Sequence, residues 1–322
     1  MKAVKVMSFG GPEVLVLADD ERPTATAQQV VIAVASVGVG AVDVLLRKGL
    51  FLRSEPGYIP GVEVAGTVVE VGEQVDAAWI GKRVFATTLS GGYAEFIAVQ
   101  VGALVPIPDT ITTTQAVALG VNALVGAFSL ERTACANGDR ILLRGAGGGI
   151  GSITAQLALH LTTAVTAVST SPEKEAQLQV LGVKQFVRKE EINNYTGEFD
   201  IILDPVAGED VDRYVNLLAD NGKYLISGVA GGFPLPDFGS GWMKRIFKSL
   251  SLLFLSLNSI PQERKNTKLA EIFDRAVDGR IIPVIDKVYS LDNAAAAHRY
   301  LESGKVFGKI VLEIHGSVKA TA

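Results

Sequence analysis

Arg144 to Ser152 read RGAGGGIGS, and five of the seven residues from Gly145 to Gly151 are glycine. An apolar stretch, RILLRG (Arg140–Gly145), runs into the glycines as a strand, and GSITAQLALHL (Gly151–Leu161) leaves them as a helix. That order gathers free backbone N–H groups and the positive end of a helix dipole at one point, which favours an anion. Ala146, Gly148 and Gly151 have the spacing A-x-G-x-x-G. The small first residue makes a tight turn, the second lets a pyrophosphate reach the backbone, and the third lets helix pack on strand. The competing reading is a plain glycine-rich turn, and the order strand, loop, helix favours the dinucleotide site, with Gly147, Gly149 and Ile150 completing the cradle.

Outward from the loop, short apolar runs alternate with helical stretches. AVTAVST, PEKEAQLQVLG, QFV, FDIILD, EDVDRYVNLLAD and KYLISG follow in order, the pattern of a parallel sheet covered on both faces. KYLISG ends at Gly228, a further candidate for close backbone approach to the cofactor. Upstream of Asp109 the pieces are valine-rich and broken by Gly and Pro, as in VVIAVASVG, VEVAGTVVEVG and RVFA, which fits a mainly β domain. TTTQAVALGVNALVGAFSLER between the two has helical spacing, weakened at Gly120 and Gly126. IFKSLSLLFLSL (Ile246–Leu257) is too short to cross a bilayer, contains Lys248 and reads as a buried strand. The end, VYSLDNAAAAHRYLESGKVFGKIVLEI, reads as strand, helix, strand outside that sheet.

The 322 residues, 48% hydrophobic, suffice for two domains. A net charge of -4 from 34 acids and 30 bases excludes a global field for nucleic acid and points to small-molecule chemistry without a membrane. One cysteine, Cys135, excludes an internal disulfide framework, and MKAVKVMSFGG carries no apolar leader, so the expected compartment is the cytoplasm.

The end of the second strand selects the dinucleotide. An NAD site has Asp or Glu about 20 residues after the glycines, accepting from the ribose 2′-hydroxyl. This chain has Ser169, Thr170 and Ser171 there, with Lys174 in the next helical turn. Hydroxyls, an N-capped helix start at Ser171–Pro172 and an ammonium suit a 2′-phosphate, hence NADPH. Lys174 alternatively is a solvated helix lysine; Arg188 and Lys189 are further candidates for the same charge.

PGVEVAGTVVEVGEQV, IGKRVFA, GGYAEF, the glycine loop and AHRYLESGKVFGKIVLE together resemble the medium-chain dehydrogenase/reductase superfamily, nearly end to end. The resemblance implies an α/β protein in which a doubly wound Rossmann sheet is inserted in a GroES-like, mainly β domain. It places the first part of the substrate domain at 1–118, the NADPH-binding domain at 119–260 and the return to the substrate domain at 261–322. It also implies hydride transfer from a nicotinamide, and commonly a homodimer joined through the outermost strand, here SLSLLFLSL (249–257), with Leu253 and Leu255 near the axis.

Where zinc members of that superfamily carry catalytic ligands, this chain has Gly40, Val62 and Val121, and the lobe with four cysteines is missing. The three histidines, His160, His298 and His315, have no ligand spacing, so no metal is expected. The resemblance is to the zinc-free quinone oxidoreductase branch, which includes the zeta-crystallins. Without a Lewis acid, substrates with their own electron sink, quinones and α,β-unsaturated carbonyls, are the natural choice.

Catalytic candidates are Asn122 beside the expected nicotinamide, Tyr58 in EPGYIPG as a donor to a substrate oxygen, and Asp43. Asp43 and Glu63 flank the missing ligands; they either orient Arg47 and line the cleft or are structural carboxylates satisfied by backbone or Arg. Relatives often have LTAY where this chain has Leu124, Val125, Gly126 and Ala127. That loss of two polar groups keeps an alternative open, an NADPH-binding protein with a sensing or structural role.

Overall fold

The computed structural model of the chain describes residues 1–50 and 55–314; His315 lies outside them. The chain divides into two compact units, Met1–Val121 with the stretch from Pro261 onward, and Asn122–Ile260.

Strands β1 (Lys2–Val6), β2 (Leu15–Asp19) and β3 (Gln29–Val39) are followed by helix α1 (Ala41–Arg47), then β4 (Glu63–Val71), β5 (Arg83–Thr87), β6 (Phe96–Gln100), β7 (Leu104–Pro106) and α2 (Thr113–Arg132). The second unit continues with β8 (Ile141–Leu143), α3 (Gly149–Leu159), β9 (Val165–Ser169), α4 (Pro172–Val180), β10 (Gln185–Arg188), β11 (Phe199–Asp204), α5 (Val211–Val215), β12 (Leu218–Ile226), α6 (Gly239–Met243) and β13 (Ser251–Phe254). The return adds α7 (Gln262–Val277), β14 (Ile285–Ser290), α8 (Ala294–Glu302) and β15 (Lys309–Glu313).

In the first unit the main sheet runs β14-β15-β3-β4-β5-β7, with β6 also on β3. The β-branched run Val30, Val31 and Ile32 is wholly buried, as a strand covered on both faces requires. The chain end is stitched into the same core, since Ile310 pairs with Val39 and Leu312 with Val37. Gly66 faces Val34 across the β3–β4 pair, between two register shifts of β3.

The second unit is a six-stranded sheet in the order β10-β9-β8-β11-β12-β13, every pair parallel. This is the doubly wound order in which the first strand lies at the centre and the chain reverses direction beside it. Helix α3 is buried from Gly151 to Ala158 without interruption, which is why it carries no charged residue, and its polar side chains Ser152 and Thr154 bond back to carbonyls of their own helix.

Three expectations change. EDVDRYVNLLAD is helical only over Val211–Val215; Leu218 pairs with Phe199 and starts β12, because the two leucines fill the sheet core instead of a helix face. Helix α2 is broken at Gly120, whose φ of 2° and ψ of -119° are not helical. The run Ile246–Leu257 is not a buried strand: Ile246 and Phe247 are 60% and 99% exposed, and β13 covers only Ser251–Phe254. As the outermost strand it has a neighbour on one side alone, and Phe254 stays exposed while Leu255 packs inward.

A methyl group at Gly66 would stand 2.1 Å from the carbonyl oxygen of Ala33. Gly66→Ala is therefore expected to destabilise the protein by about 1–3 kcal/mol through overpacking. A urea midpoint equal to that of the wild type would show that the β3–β4 pair relaxes freely.

Candidate cofactor and catalytic site

Strand β8 ends at the turn of Gly145, whose φ is +65°, and α3 starts from Gly148 in extended conformation with no side chain capping it. The first N–H groups of such a helix have no intrahelical acceptor and remain available to a ligand. Gly148 donates its own N–H to Gly145 O at 3.0 Å, closing the turn. A Cβ at Gly151 would lie 2.2 Å from Gly145 O and 2.6 Å from Ala146 Cα, so only glycine lets α3 meet the strand end. At Gly148 a Cβ would meet nothing closer than 3.4 Å; that glycine keeps open space above the loop. At Gly149 it would strike Asn122 Nδ2 at 2.7 Å, so the structure brings the Asn122 amide to the start of α3. Gly148, Gly149 and Ile150 are partly exposed at the start of α3, whereas Ala146, Gly147 and Gly151 are buried.

At the end of β9 the hydroxyls divide their labour. Ser169 Oγ is buried, donating to Ser171 O at 3.0 Å and accepting the Ser171 N–H at 3.3 Å, so it is committed to the turn. Ser171 N-caps α4 by accepting the Lys174 N–H at 3.3 Å, with Pro172 in the first position. Thr170 is exposed and Lys174 is half-buried in the same turn. Lys189 Nζ lies 4.0 Å from Asp210, and Arg188 Nε lies 3.6 Å from Glu175. Gly228 passes against Pro205, whose carbonyl oxygen would be 2.6 Å from any Cβ there.

The sequence reading missed a buried network behind this loop. Arg144 Nη1 donates to Asp204 Oδ2 at 3.0 Å and its Nη2 to Asp210 Oδ1 at 2.5 Å, while the guanidinium stacks 4.3 Å from the Tyr214 ring centre. Asp204 also accepts from Tyr224 Oη at 2.6 Å and from the Val206 and Ala207 N–H groups. The network ties the glycine turn after β8 to the turn after β11. Its only trace in the sequence is a charge at each end of otherwise apolar runs, RILLRG and FDIILD.

In the first unit, Asp43 is wholly buried and accepts the Gly40 N–H at 2.9 Å and the Gly61 N–H at 3.1 Å. Burial pushes its carboxyl up to about 6, against those hydrogen bonds. Of the two sequence readings, the geometry is that of a carboxylate satisfied by backbone. Burial, with the Asp43 charge adding, pushes the Tyr58 phenol up to about 12, and its hydroxyl has no partner among the described residues. Arg47 is buried, bonding Glu302 at 2.9 Å through Nη2. His298 Nε2 is 3.0 Å from Tyr93 Oη, and burial holds the imidazole down at about 3. Glu63 pairs with Lys309, a residue that sequence reasoning passed over. Trp242 packs edge-on against Tyr224, with ring centroids 6.0 Å apart.

Residues 26–109 match the model of the alcohol dehydrogenase GroES-like domain, and residues 181–312 that of a zinc-binding dehydrogenase. The mouse quinone oxidoreductase is 33% identical over 329 residues, 97% of each chain. Among solved structures, a mycobacterial protein complexed with NADPH superimposes with a TM-score of 0.89 at 27% identity, covering 97% of this chain and 100% of that one. The CurK enoyl reductase gives 0.84 at 26% identity over 97% and 99%. The chain belongs to the quinone oxidoreductase branch of the medium-chain dehydrogenase/reductase superfamily. It is an oxidoreductase that works with a nicotinamide cofactor on a small molecule.

The zinc implied by the second of those models does not fit. Gly40, Val62 and Val121 offer no donor, and among the described residues no three of His, Cys, Asp and Glu gather as a metal-binding group.

Two outcomes follow from the buried charges. Arg144→Met leaves Asp204 and Asp210 without their cation and is expected to cost about 3–5 kcal/mol, read from urea unfolding; no loss would show that the network is dispensable. His298, ordinarily near 6.5, is held at about 3 in the fold, so the unfolded chain takes up the proton first as pH falls. Its contribution is intact above about 6.5 and drains away down to about 3. Between those limits the wild type should lose stability per pH unit faster than His298→Gln, and parallel curves would refute a neutral histidine.

Proposed function

We propose that the protein is a metal-independent, NADPH-dependent reductase that delivers hydride to quinones or α,β-unsaturated carbonyl compounds. The observation that carries this reading is the uncapped start of α3 beside a β9 end that has no carboxylate and instead has Thr170 and Lys174. The mycobacterial structure with NADPH supports the cofactor, and the mouse quinone oxidoreductase and the CurK enoyl reductase support the two substrate classes.

In this reading the stretch 119–260 is the NADPH-binding domain, and 1–118 with 261–322 is the substrate domain. The backbone of Gly147, Gly148, Gly149, Ile150 and Gly151 holds the pyrophosphate, with Ala146 and Gly228 keeping the approach narrow. Thr170, Lys174 and Lys189 take the 2′-phosphate, and Ser169 and Ser171 shape the turn that presents them. NADPH supplies the hydride. Asn122 orients the nicotinamide end through its place against Gly149. Tyr58, a phenol pushed up to about 12, stays protonated at neutral pH and donates to the substrate oxygen as charge builds there. Asp43 acts from behind by fixing the Gly40 and Gly61 amides. Val125 and Ala127 leave their stretch of α2 without the two polar groups that relatives often have, which suits bulky apolar substrates.

The proposed assembly is a homodimer in which the free edge of β13 pairs with its copy across a two-fold axis, covering Phe254. Leu253 lies near that axis, whereas Leu255 packs within its own chain.

NADPH is expected to bind at least about tenfold more tightly than NADH, equivalent to about 1.4 kcal/mol, and Lys174→Ala should narrow the gap. Fluorescence titration of both cofactors measures it, and equal affinities would reject the choice of NADPH. Elemental analysis should find no stoichiometric zinc, and strong chelators should leave turnover of a quinone unchanged. Zinc lost together with activity would overturn the metal-independent reading. Single-turnover oxidation of bound NADPH by a panel of quinones and enones separates catalysis from a binding role, for which complete inertness would be the sign. Sedimentation should give a dimer that Leu253→Pro dissociates; a wild-type monomer would refute the assembly.

A further inference from the structure

Arg47 is wholly buried, yet its guanidinium is engaged at one nitrogen only. Nη2 donates to Glu302 at 2.9 Å, while Nε and Nη1 have no partner among the described residues. Glu302 also holds Lys48 at 2.7 Å, so its charge is shared between two cations. Donors that have left water without finding an acceptor destabilise the resting fold. Such atoms need a state of the protein in which they are used.

The backbone brings Tyr58 to the same place. Asp43, one turn before Arg47 on α1, accepts the N–H of Gly61, just beyond Tyr58, at 3.1 Å. Val6 donates its N–H to Tyr58 O at 2.9 Å, and Gly10, on the turn that follows, donates to Arg47 O at 3.2 Å. The Tyr58 hydroxyl is buried and, like Arg47 Nε and Nη1, unpartnered among the described residues. Two charges act on its phenol: Asp43 pushes the ionisation up and Arg47 draws it down. Tyr93 and His298 lie close by but are paired with each other at 3.0 Å, and burial keeps the imidazole neutral. Only the cation favours a phenolate at Tyr58.

We propose that Arg47 holds the phenolate that Tyr58 becomes on giving up its proton. When hydride reaches the β-carbon of an α,β-unsaturated carbonyl, the π electrons move onto the carbonyl oxygen. The Tyr58 O–H bond breaks, its proton goes to that oxygen, and the resulting enol relaxes to the saturated carbonyl in solution. The electron pair left on Tyr58 Oη accepts from the Arg47 N–H groups that are idle at rest, and water returns the proton once product has left. The donors are therefore used as charge develops and not before, the pattern that raises turnover without tightening substrate binding. Arg47 is a positioning residue that acts through Tyr58. This inference rests on the role given to Tyr58 above.

A cycle of Tyr58→Phe and Arg47→Met in the full-length protein tests it, read by single-turnover oxidation of NADPH by an enone. Arg47→Met leaves Glu302 with Lys48 as partner. It should slow hydride transfer roughly ten- to a hundredfold, with the enone KM and NADPH affinity within about twofold of the wild type. Added to Tyr58→Phe, it should slow the reaction no further. Arg47→Lys keeps the charge without the planar fork, should recover part of the loss and carries the cycle if the methionine variant does not fold. A readout without turnover comes from difluorotyrosine at position 58, titrated by fluorine NMR. Its phenol should ionise about 1–3 pH units higher in Arg47→Met than beside the native arginine. Asp43 is present in every variant, so the difference reports the cation.

Wild-type turnover in Arg47→Met would overturn the proposal, as would losses that multiply when the two substitutions are combined. A lowered urea midpoint with an unmoved fluorine titration would overturn it too, by leaving Arg47 a purely structural role. Wild-type turnover in Tyr58→Phe would remove the donor itself and the inference with it. A slow Tyr58→Phe beside an unaffected Arg47→Met would sink the inference alone.

Discussion

The distance of 2.2 Å between the carbonyl oxygen of Gly145 and the point where a Cβ of Gly151 would stand is the constraint around which the second unit is built. With hydrogen there, α3 begins directly on the end of β8 and its first N–H groups open onto the loop. Any larger residue would lift the helix off the strand and turn those groups away. The sheet order follows the same need. With β9 and β11 on either side of β8, the chain leaves the centre of the sheet in opposite directions, and the loop stands at the resulting crevice. Arg144 then fixes the turn by joining Asp204 and Asp210, so the backbone of the glycine loop is braced by charges that are already paired.

Both units use a buried cation to hold irregular backbone. Arg144 serves the turns after β8 and β11, and Lys309 serves the break in α2 through Glu63. The chemistry of the two cations differs in a useful way. A guanidinium has a planar fork that reaches two carboxylates and stacks on Tyr214, which suits a bridge between two loops. An ammonium is compact, and at Lys309 it lies where a Cβ on Gly38 would come within 2.8 Å of Nζ.

Much of this was readable before the structure was known, and the exceptions share a cause. RILLRG, AVTAVST and FDIILD announce strands because a parallel strand is covered on both faces and so is apolar throughout. The start of α4 was legible too, since Ser171 and Pro172 obey local capping rules. Lys309 was not, because its partner lies 246 positions away and a lysine in a terminal strand looks like any surface residue. The role of Ser169 was hidden for the opposite reason: a local bond to Ser171 competes successfully for its hydroxyl. NLLAD reads as a helix because two adjacent leucines fit either period, and only the pairing of Leu218 with Phe199 decides. Ile246 and Phe247 were read as buried because apolarity alone does not say whether a side chain is covered by its own chain.

In the proposed reading, the polar groups of the first unit bear on how a reductase would manage without a Lewis acid. A metal activates by withdrawing electrons from a carbonyl oxygen; a conjugated substrate needs only a hydrogen bond where its charge arrives. Such a donor must keep its proton, and a phenol pushed up to about 12 by burial keeps it across the physiological range. The carboxyl of Asp43, at about 6 and already accepting two amides, is badly suited to deliver a proton and well suited to hold a loop. The division between Tyr58 and Asp43 therefore follows from what each side chain is already bonded to: the hydroxyl is uncommitted among the described residues, and the carboxylate is not.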